Sequence, residues 1–384
     1  MAAKVNPNVE KMTSFIVMDV LERAKELQEK GVDVIHLEVG EPDFEPSDEV
    51  VVAGIKAFAD GETHYTHSLG DVELRREIAK FYNSEYGVSV DEDMIVVTSG
   101  SSPAILMALQ LLCEPGSEVI MTNPGYACYK NFTLAANAVP VPITVKAEDG
   151  FQYPIEALKA AITPKTRAIF VNSPMNPAGT LVSKETYAEI AKLGIPIISD
   201  EIYHGLVYNG TPVSVLEVTD NAFVLNGFSK RYAMTGLRLG YMIAPKKYMK
   251  YIQTMQQNLA ICAPSMSQKA GIAALRYGEE DVKKRLEIYN ERRVYMIDRL
   301  RKMGFVIETE PQGAFYIFAN AKKFTNDCYK FAFDVLENAH VGITPGVDFG
   351  TNGEGYVRLS YANSLDNIKE ALDRIEKYLK NAKL

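Results

Sequence analysis

The sequence predicts an α/β protein: a large domain with a mainly parallel sheet covered by helices, plus a smaller α+β domain. Three observations predict it. Five short runs, "MIVVTSG", "EVIMTNPGY", "AIFVNSPMNP", "IPIISDEIY" and "AFVLNGFSK", are rich in Val, Ile or Phe and apolar throughout, as strands buried on both faces are. Each gives way to a polar or Gly/Pro turn, and "SPAILMALQLL" and "KETYAEIAKL" supply crossover helices, so strand and helix alternate. After about Glu280 that rhythm stops and an α+β pattern takes over.

The elements follow in order. The first forty residues hold a helix, "IVMDVLERAKELQEKG", and the run "VIHLEVG". They could pack with either domain, and no clear linker marks a border. The five strand–turn–helix segments come next. A long stretch, "VKKRLEIYNERRVYMIDRLRK", keeps Leu286, Tyr289, Ile297 and Leu300 near a helical period, which predicts an amphipathic helix with a solvated basic face. "FVIETE", "GAFYIFA", a helix near "CYKFAFDVLENA", the strand "GYVRLSYA" and a last helix complete the chain. The expected division assigns 45–280 to the large domain, and 1–44 with 281–384 to the small one.

Composition narrows the function. With 384 residues, 47% of them hydrophobic, the chain can bury a large core. A net charge of -8 leaves no basic excess to neutralise phosphates, which argues against nucleic acid or an anionic membrane as partner. Cys113, Cys128, Cys262 and Cys328 are far apart and form no C-x-x-C pair. Reduced thiols and a cytoplasmic location are therefore expected rather than a disulfide framework or a zinc knuckle. "MAAKVNPNVEKM" lacks the apolar core of a secretory signal, and no apolar run reaches the roughly 18 residues that span a bilayer. His64 and His67 make an H-x-x-H pair without a nearby third ligand, so no metal site is expected.

Function is written at the strand ends, since open α/β sheets bind ligands beyond their carboxyl edge. After "MIVVT", Gly100 permits a tight turn and Ser101 and Ser102 open a helix with Pro103 in its first turn. Free N–H groups there would meet an anion, most simply a phosphate; an ordinary Ser N-cap is the plainer alternative. After "EVIMT", Tyr126 could lie against an aromatic ring or merely pack. After "RAIFV", "NSPMNPAGT" is a stiff loop that could aim Asn176, or only a turn. After "IPIIS", Asp200 ends a buried strand, where a carboxylate needs a partner or it protonates. A cationic ring nitrogen or a helix N-cap would serve, and Tyr203 could reach the same place. After "AFVLN" come Ser229, Lys230 and, eight residues on, Arg238. A lysine beside other cations can be neutral enough to attack a carbonyl, and Arg238 with Ser229 could hold a phosphate. An exposed lysine is the bland reading. Together these positions describe one ligand bearing an anion, a flat ring, a ring nitrogen and a carbonyl. Pyridoxal 5'-phosphate has all four. In "GYVRLSYA", Arg358 is a single guanidinium in an apolar strand, which requires an anion, whether substrate or structural carboxylate.

At these residues the chain resembles the class I/II pyridoxal-phosphate-dependent aminotransferases, aspartate aminotransferase-like enzymes of fold type I, over nearly its whole length. "SKRYAMTGLRLG" matches the family's S-K-x-x-x-x-G-x-R-x-G, "NPAG" its N-P-x-G and "DEIY" its D-x-x-Y. "LEVGEPDF", "HYTHSLGDVELR", "PQGAFYIF" and "PGVDFGTNGEGYVRLSYA" are similar to its substrate segments and C-terminal domain. The resemblance implies that the large domain binds the cofactor. Lys230 would carry it as a Schiff base and later move protons; Asp200 would pair with the pyridinium nitrogen. Tyr203 and Asn176 would hydrogen-bond the phenolic oxygen, and Tyr126 would stack on the ring. Gly100, Ser101, Ser102, Ser229 and Arg238 would surround the phosphate. Arg358, assisted by the Gly40 backbone, would clamp the substrate carboxylate. Tyr65 would reach the phosphate in a neighbouring subunit, implying a homodimer with shared sites. Two departures stand out: Gly227 occupies a position where many relatives have Ser or Thr, and Ser-Ser-Pro replaces the lysine or other polar residue of many phosphate turns.

The implied activity is ping-pong transfer of an amino group from an L-amino acid to a 2-oxo acid, with 2-oxoglutarate the expected acceptor. Aspartate is the leading donor, with alanine and aromatic donors open. The alternatives are a carbon–sulfur β-lyase or an aminocyclopropane-carboxylate-synthase-like enzyme on the same cofactor. A non-catalytic regulator that binds the cofactor is the alternative from another class.

Overall fold

A computed structural model describes residues 3–382; the first two residues of the N-terminal stretch lie outside it. The described residues form twelve strands: β1 Ile35–His36, β2 Ile95–Thr98, β3 Glu118–Asn123, β4 Val139–Thr144, β5 Thr166–Asn172, β6 Ile197–Asp200, β7 Ala222–Gly227, β8 Gly240–Ile243, β9 Tyr316–Asn320, β10 Val341–Gly342, β11 Thr344–Pro345 and β12 Tyr356–Ser360. Seven of them make the main sheet, in the order β2-β8-β7-β6-β5-β3-β4. The pairs from β7 to β4 are parallel, and β8 runs antiparallel to both of its neighbours.

The apolar runs explain this sheet. Along β2, Ile95 and Val97 face one helical layer and Val96 the other, all fully buried. The first layer includes Leu74, Ile78, Tyr187 and Ala274, and the second Ala104, Ile105, Ala108 and Ile252. Each buried aliphatic side chain contributes about 1.5–3 kcal/mol. Strands with both faces covered have no room for polar alternation, so polar residues collect at their ends.

A second core lies around the antiparallel sheet β11-β12-β9 and the helices Glu279–Met303, Cys328–Ala339 and Leu365–Asn381. Met296, Leu300, Ile317, Val335, Leu359 and Leu372 fill it. Residues 16–36 pack here: β1 pairs with β10, and Val20, Ala24 and Leu27 of the helix Ile16–Glu29 meet Leu336, whereas Asn8 and Thr13 bond Asn137 and Asn131 beside the main sheet. In "FVIETE" the chain forms only an isolated bridge from Val306 to Asn320.

The long helix corrects one expectation, because its basic residues are not simply a solvated face. Arg285, Arg292 and Arg293 are buried. Arg292 bonds both carboxylate oxygens of Asp43 at 2.9 Å, Arg285 donates to the Glu45 carbonyl, and both guanidinium groups lie over the Phe44 ring. The helix therefore ties down "EPDF", the segment that follows Gly40.

Candidate active site

The carboxyl ends of β5, β6 and β7 open into a cavity of about 310 Å³, a volume suited to a small ligand. Its lining includes Gly40, Ser101, Ser102, Tyr126, Asn176, Asp200, Tyr203, Ser229, Lys230, Arg238 and Arg358. Residues spread over more than 300 positions thus converge on one space. Gly100 lies just behind it. Tyr65 is 79% exposed and does not line the cavity of its own subunit.

Lys230 follows β7 in the turn that its Gly-Phe-Ser sequence allows. Its Nζ donates to the Gly40 carbonyl. Burial lowers its pKa to about 8; Glu41 and Asp200 oppose the shift, and Arg358 and Arg238 add to it. Asp200 closes β6 and is 5% exposed. Its Oδ2 accepts from the Tyr129 hydroxyl at 2.7 Å and its Oδ1 from the Ile202 amide at 3.2 Å. Burial raises its pKa, while those two bonds and the Lys230 charge pull it down. No α-helix begins there, so Asp200 does not cap one.

The helix Ser101–Leu112 corrects the plainer reading of its start. Its cap position is Gly100, at φ 87°, and no side chain caps the first turn. A Cβ on Gly100 would lie 2.4 Å from Nη2 of Arg238, so only glycine lets that guanidinium close over the turn. Arg238 itself spends Nη1 on the Thr235 carbonyl at 2.8 Å.

Arg358, on β12, is 2% exposed. Its Nη1 donates to Asn176 Oδ1 at 3.0 Å, and its Nη2 to the Glu38 carbonyl at 2.6 Å and to Thr344 Oγ1 at 3.3 Å. Nε has no partner, and among the described residues no carboxylate pairs with this guanidinium. The structural-carboxylate alternative therefore falls away, and a buried cation is left facing the cavity. Tyr203 bonds the Tyr316 hydroxyl at 2.8 Å, and the Tyr316 ring lies 4.2 Å below the Arg358 guanidinium. Tyr126 is half-buried, edge-on to Tyr129 and Phe15.

Three residues that carry no clear signal in the sequence help build this site: Tyr129, Tyr316 and Glu41. Tyr129 sits one helical turn after Tyr126 and Tyr316 at the start of β9, in positions where an aromatic residue usually just packs. Glu41 lines the cavity and accepts a hydrogen bond from Thr235.

The residues present fit pyridoxal phosphate. Gly100 and Arg238 form a cradle that a Cβ would fill, the Asp200 carboxylate is buried, Lys230 is partly neutral, and Arg358 keeps an unpaired Nε. Comparison with known proteins agrees. The model of "Aminotransferase class I and II" matches residues 32–375. A (5-formylfuran-3-yl)methyl phosphate transaminase of Methanocaldococcus jannaschii is 42% identical, over 95% of this chain and 97% of that one. An aspartate aminotransferase of Pyrococcus horikoshii is 36% identical, over 96% and 95%. The solved structure of Thermus thermophilus aspartate aminotransferase with maleate superposes with a TM-score of 0.94 at 34% identity, covering 98% of this chain and 100% of that one. The chain therefore belongs to the class I and II aminotransferases, and it is a pyridoxal-phosphate-dependent transaminase of fold type I.

Proposed function

We propose that the protein moves an amino group from an L-amino acid to a 2-oxo acid by a ping-pong route, at a site completed by a second copy of the chain. One observation carries the reading: a lysine with its pKa lowered to about 8 shares a cavity with a buried carboxylate and an arginine whose Nε is unpaired. Bound pyridoxal phosphate supplies an electron sink for the bond broken at the substrate Cα. Arg358 grips the substrate carboxylate, with Asn176 and the Glu38 carbonyl fixing the plane of the guanidinium. With the cofactor bound, Lys230 would act as general base toward the substrate Cα proton and as the general acid that passes that proton on to the cofactor. Asp200 holds a negative charge against the ring nitrogen, and Tyr129 keeps that carboxylate aimed. Gly100, Ser101, Ser102, Ser229 and Arg238 hold the phosphate. Tyr126 covers the ring, and Tyr203 and Asn176 serve its phenolic oxygen.

In this reading 45–280 is the cofactor-binding domain, and Tyr65 reaches the neighbouring subunit's phosphate. Aspartate with 2-oxoglutarate is the substrate pair that the family resemblance favours; its side-chain carboxylate would need a second cation, from a loop or from the other subunit. The 42% identical relative, named for a phosphorylated furan aldehyde, favours a second reading in which a ring aldehyde is the acceptor. A half-reaction screen separates them: load the amino form of the enzyme, then add 2-oxoglutarate or the aldehyde and follow the return of the visible band. Lys230→Ala is expected to lose both that band and all turnover. A variant that kept both would overturn the assignment. No described helix is long and apolar enough to cross a membrane.

A further inference from the structure

The helix Ile16–Glu29 starts without a cap of its own. Phe15 holds the cap position and no side chain of the segment bonds the first turn. The free amides are met from the far end of the chain. Asp348 Oδ1 accepts from the Ile16 amide at 2.8 Å and Oδ2 from the Val17 amide at 3.3 Å. A carboxylate at a helix N-terminus is favoured both by these bonds and by the helix dipole. Asp348 is 8% exposed, and burial pushes its pKa up to about 6 against the Ile16 amide bond, the Arg358 charge and the Val17 amide bond, so it is mainly ionised at pH 8.

The turn that carries Asp348 is itself fixed to the site. Phe349 lies 4.9 Å from the Arg358 guanidinium, and its carbonyl accepts from the Gly125 amide at 2.9 Å, one residue before Tyr126. A Cβ on Gly350 would come within 2.3 Å of Asn123 Oδ1. The capped turn presents Phe15, Val17 and Met18 to the cavity, with the Phe15 ring edge-on to Tyr126 at 6.2 Å. One carboxylate thus links an apolar wall to the residues on either side of it.

We propose that Asp348 is a positioning residue for the substrate side chain: it seats the first turn of this helix so that Phe15, Val17 and Met18 form an apolar wall that reads side-chain size. The inference rests on the transaminase reading for the identity of the cavity, but its test can be read without turnover. Calorimetry on the cofactor-loaded protein at pH 8 would measure binding of unbranched carboxylates from acetate to hexanoate. The wild type is expected to bind more tightly with each added methylene, by up to roughly fourfold. Asp348→Ala is expected to flatten that gradient; because the Asp348 charge also acts on Arg358, the chain-length gradient, and not the acetate affinity alone, is the readout. Asp348→Asn keeps one acceptor oxygen and is expected to restore part of the gradient. Amide exchange in a peptide spanning 14–20 should accelerate in the same order.

In donor kinetics the matching signature is a KM that rises more for norvaline than for alanine, at nearly constant kcat. A wild-type gradient of zero, or equal weakening of every carboxylate in both variants, would overturn the proposal. So would an unchanged gradient in Asp348→Ala despite faster exchange. If no amino acid discharges the cofactor but the gradient behaves as described, the transaminase reading fails and the wall survives.

Discussion

At the scale of single residues, Lys230 carries the most testable chemistry. Burial disfavours its ammonium form and brings the pKa to about 8, with Glu41 the largest opposing charge. The folded value lies below the ordinary lysine value near 10.4, so between those two limits the unfolded chain holds the extra proton. This group's contribution to stability therefore rises as pH increases from about 8 toward 10.5. The free amine follows the same titration. In the cofactor-free protein, labelling of Lys230 by an acylating reagent is expected to be half-maximal near pH 8. Exposed lysines should lag by about two units. Glu41→Gln should move the midpoint lower, and peptide mapping of the labelled lysine would read both results. Lys230 and Asp200 were legible in the sequence because a charged residue closing an apolar run adds nothing to the packing of the strand. Tyr129 and Tyr316 were not. One helix turn and one strand place their hydroxyls on Asp200 and Tyr203, and nothing in the local sequence distinguishes those tyrosines from packing ones.

At the scale of elements, the phosphate turn depends on a strand that the apolar pattern does not reveal. β8 is only four residues long and lies between β2 and β7. A Cβ on Gly240, at its start, would sit 2.5 Å from the Gly100 carbonyl carbon and 2.6 Å from the Ser101 amide nitrogen. Both are backbone atoms that cannot swing aside, so this glycine sets how closely the turn approaches the strand. Gly240→Ala is expected to cost about 1–3 kcal/mol of stability through overpacking and to speed loss of pyridoxal phosphate. Gly236→Ala, with nothing within 4 Å of the added Cβ, should leave both unchanged. Thermal unfolding of the cofactor-free form and the rate of cofactor release check the pair. The apolar strands were legible because their pattern is local. The basic face of the helix Glu279–Met303 was misread because what buries Arg292 is Asp43 and Phe44, some 250 positions earlier, and no periodicity within the helix encodes them.

At the scale of the whole molecule, one face remains to be covered. The helix Asp48–Ala59 meets the helix Ser265–Tyr277, as at Gly54 and Ala270, but leaves Val52, Ile55 and Phe58 61–67% exposed. Tyr65 follows at 79%. Apolar residues spaced in this way on one helix edge fit burial against a second copy. If Tyr65 serves the neighbouring site, mixing two damaged chains should repair one site. In a Tyr65→Ala and Lys230→Ala heterodimer, the first chain supplies the intact lysine and the second the intact tyrosine. One site is then wild type and the other carries both lesions. Random reassortment makes half of the dimers heterodimers with half of their sites repaired, so activity should rise to about a quarter of wild type. A mixture that never exceeds the sum of the separately assayed variants would mean that Tyr65 acts within its own subunit or not at all. Ile55→Glu should place a charge in the proposed interface, and light scattering should then report monomers whose Lys230 labelling still titrates near pH 8. That result would separate assembly from the local electrostatics that tune the lysine.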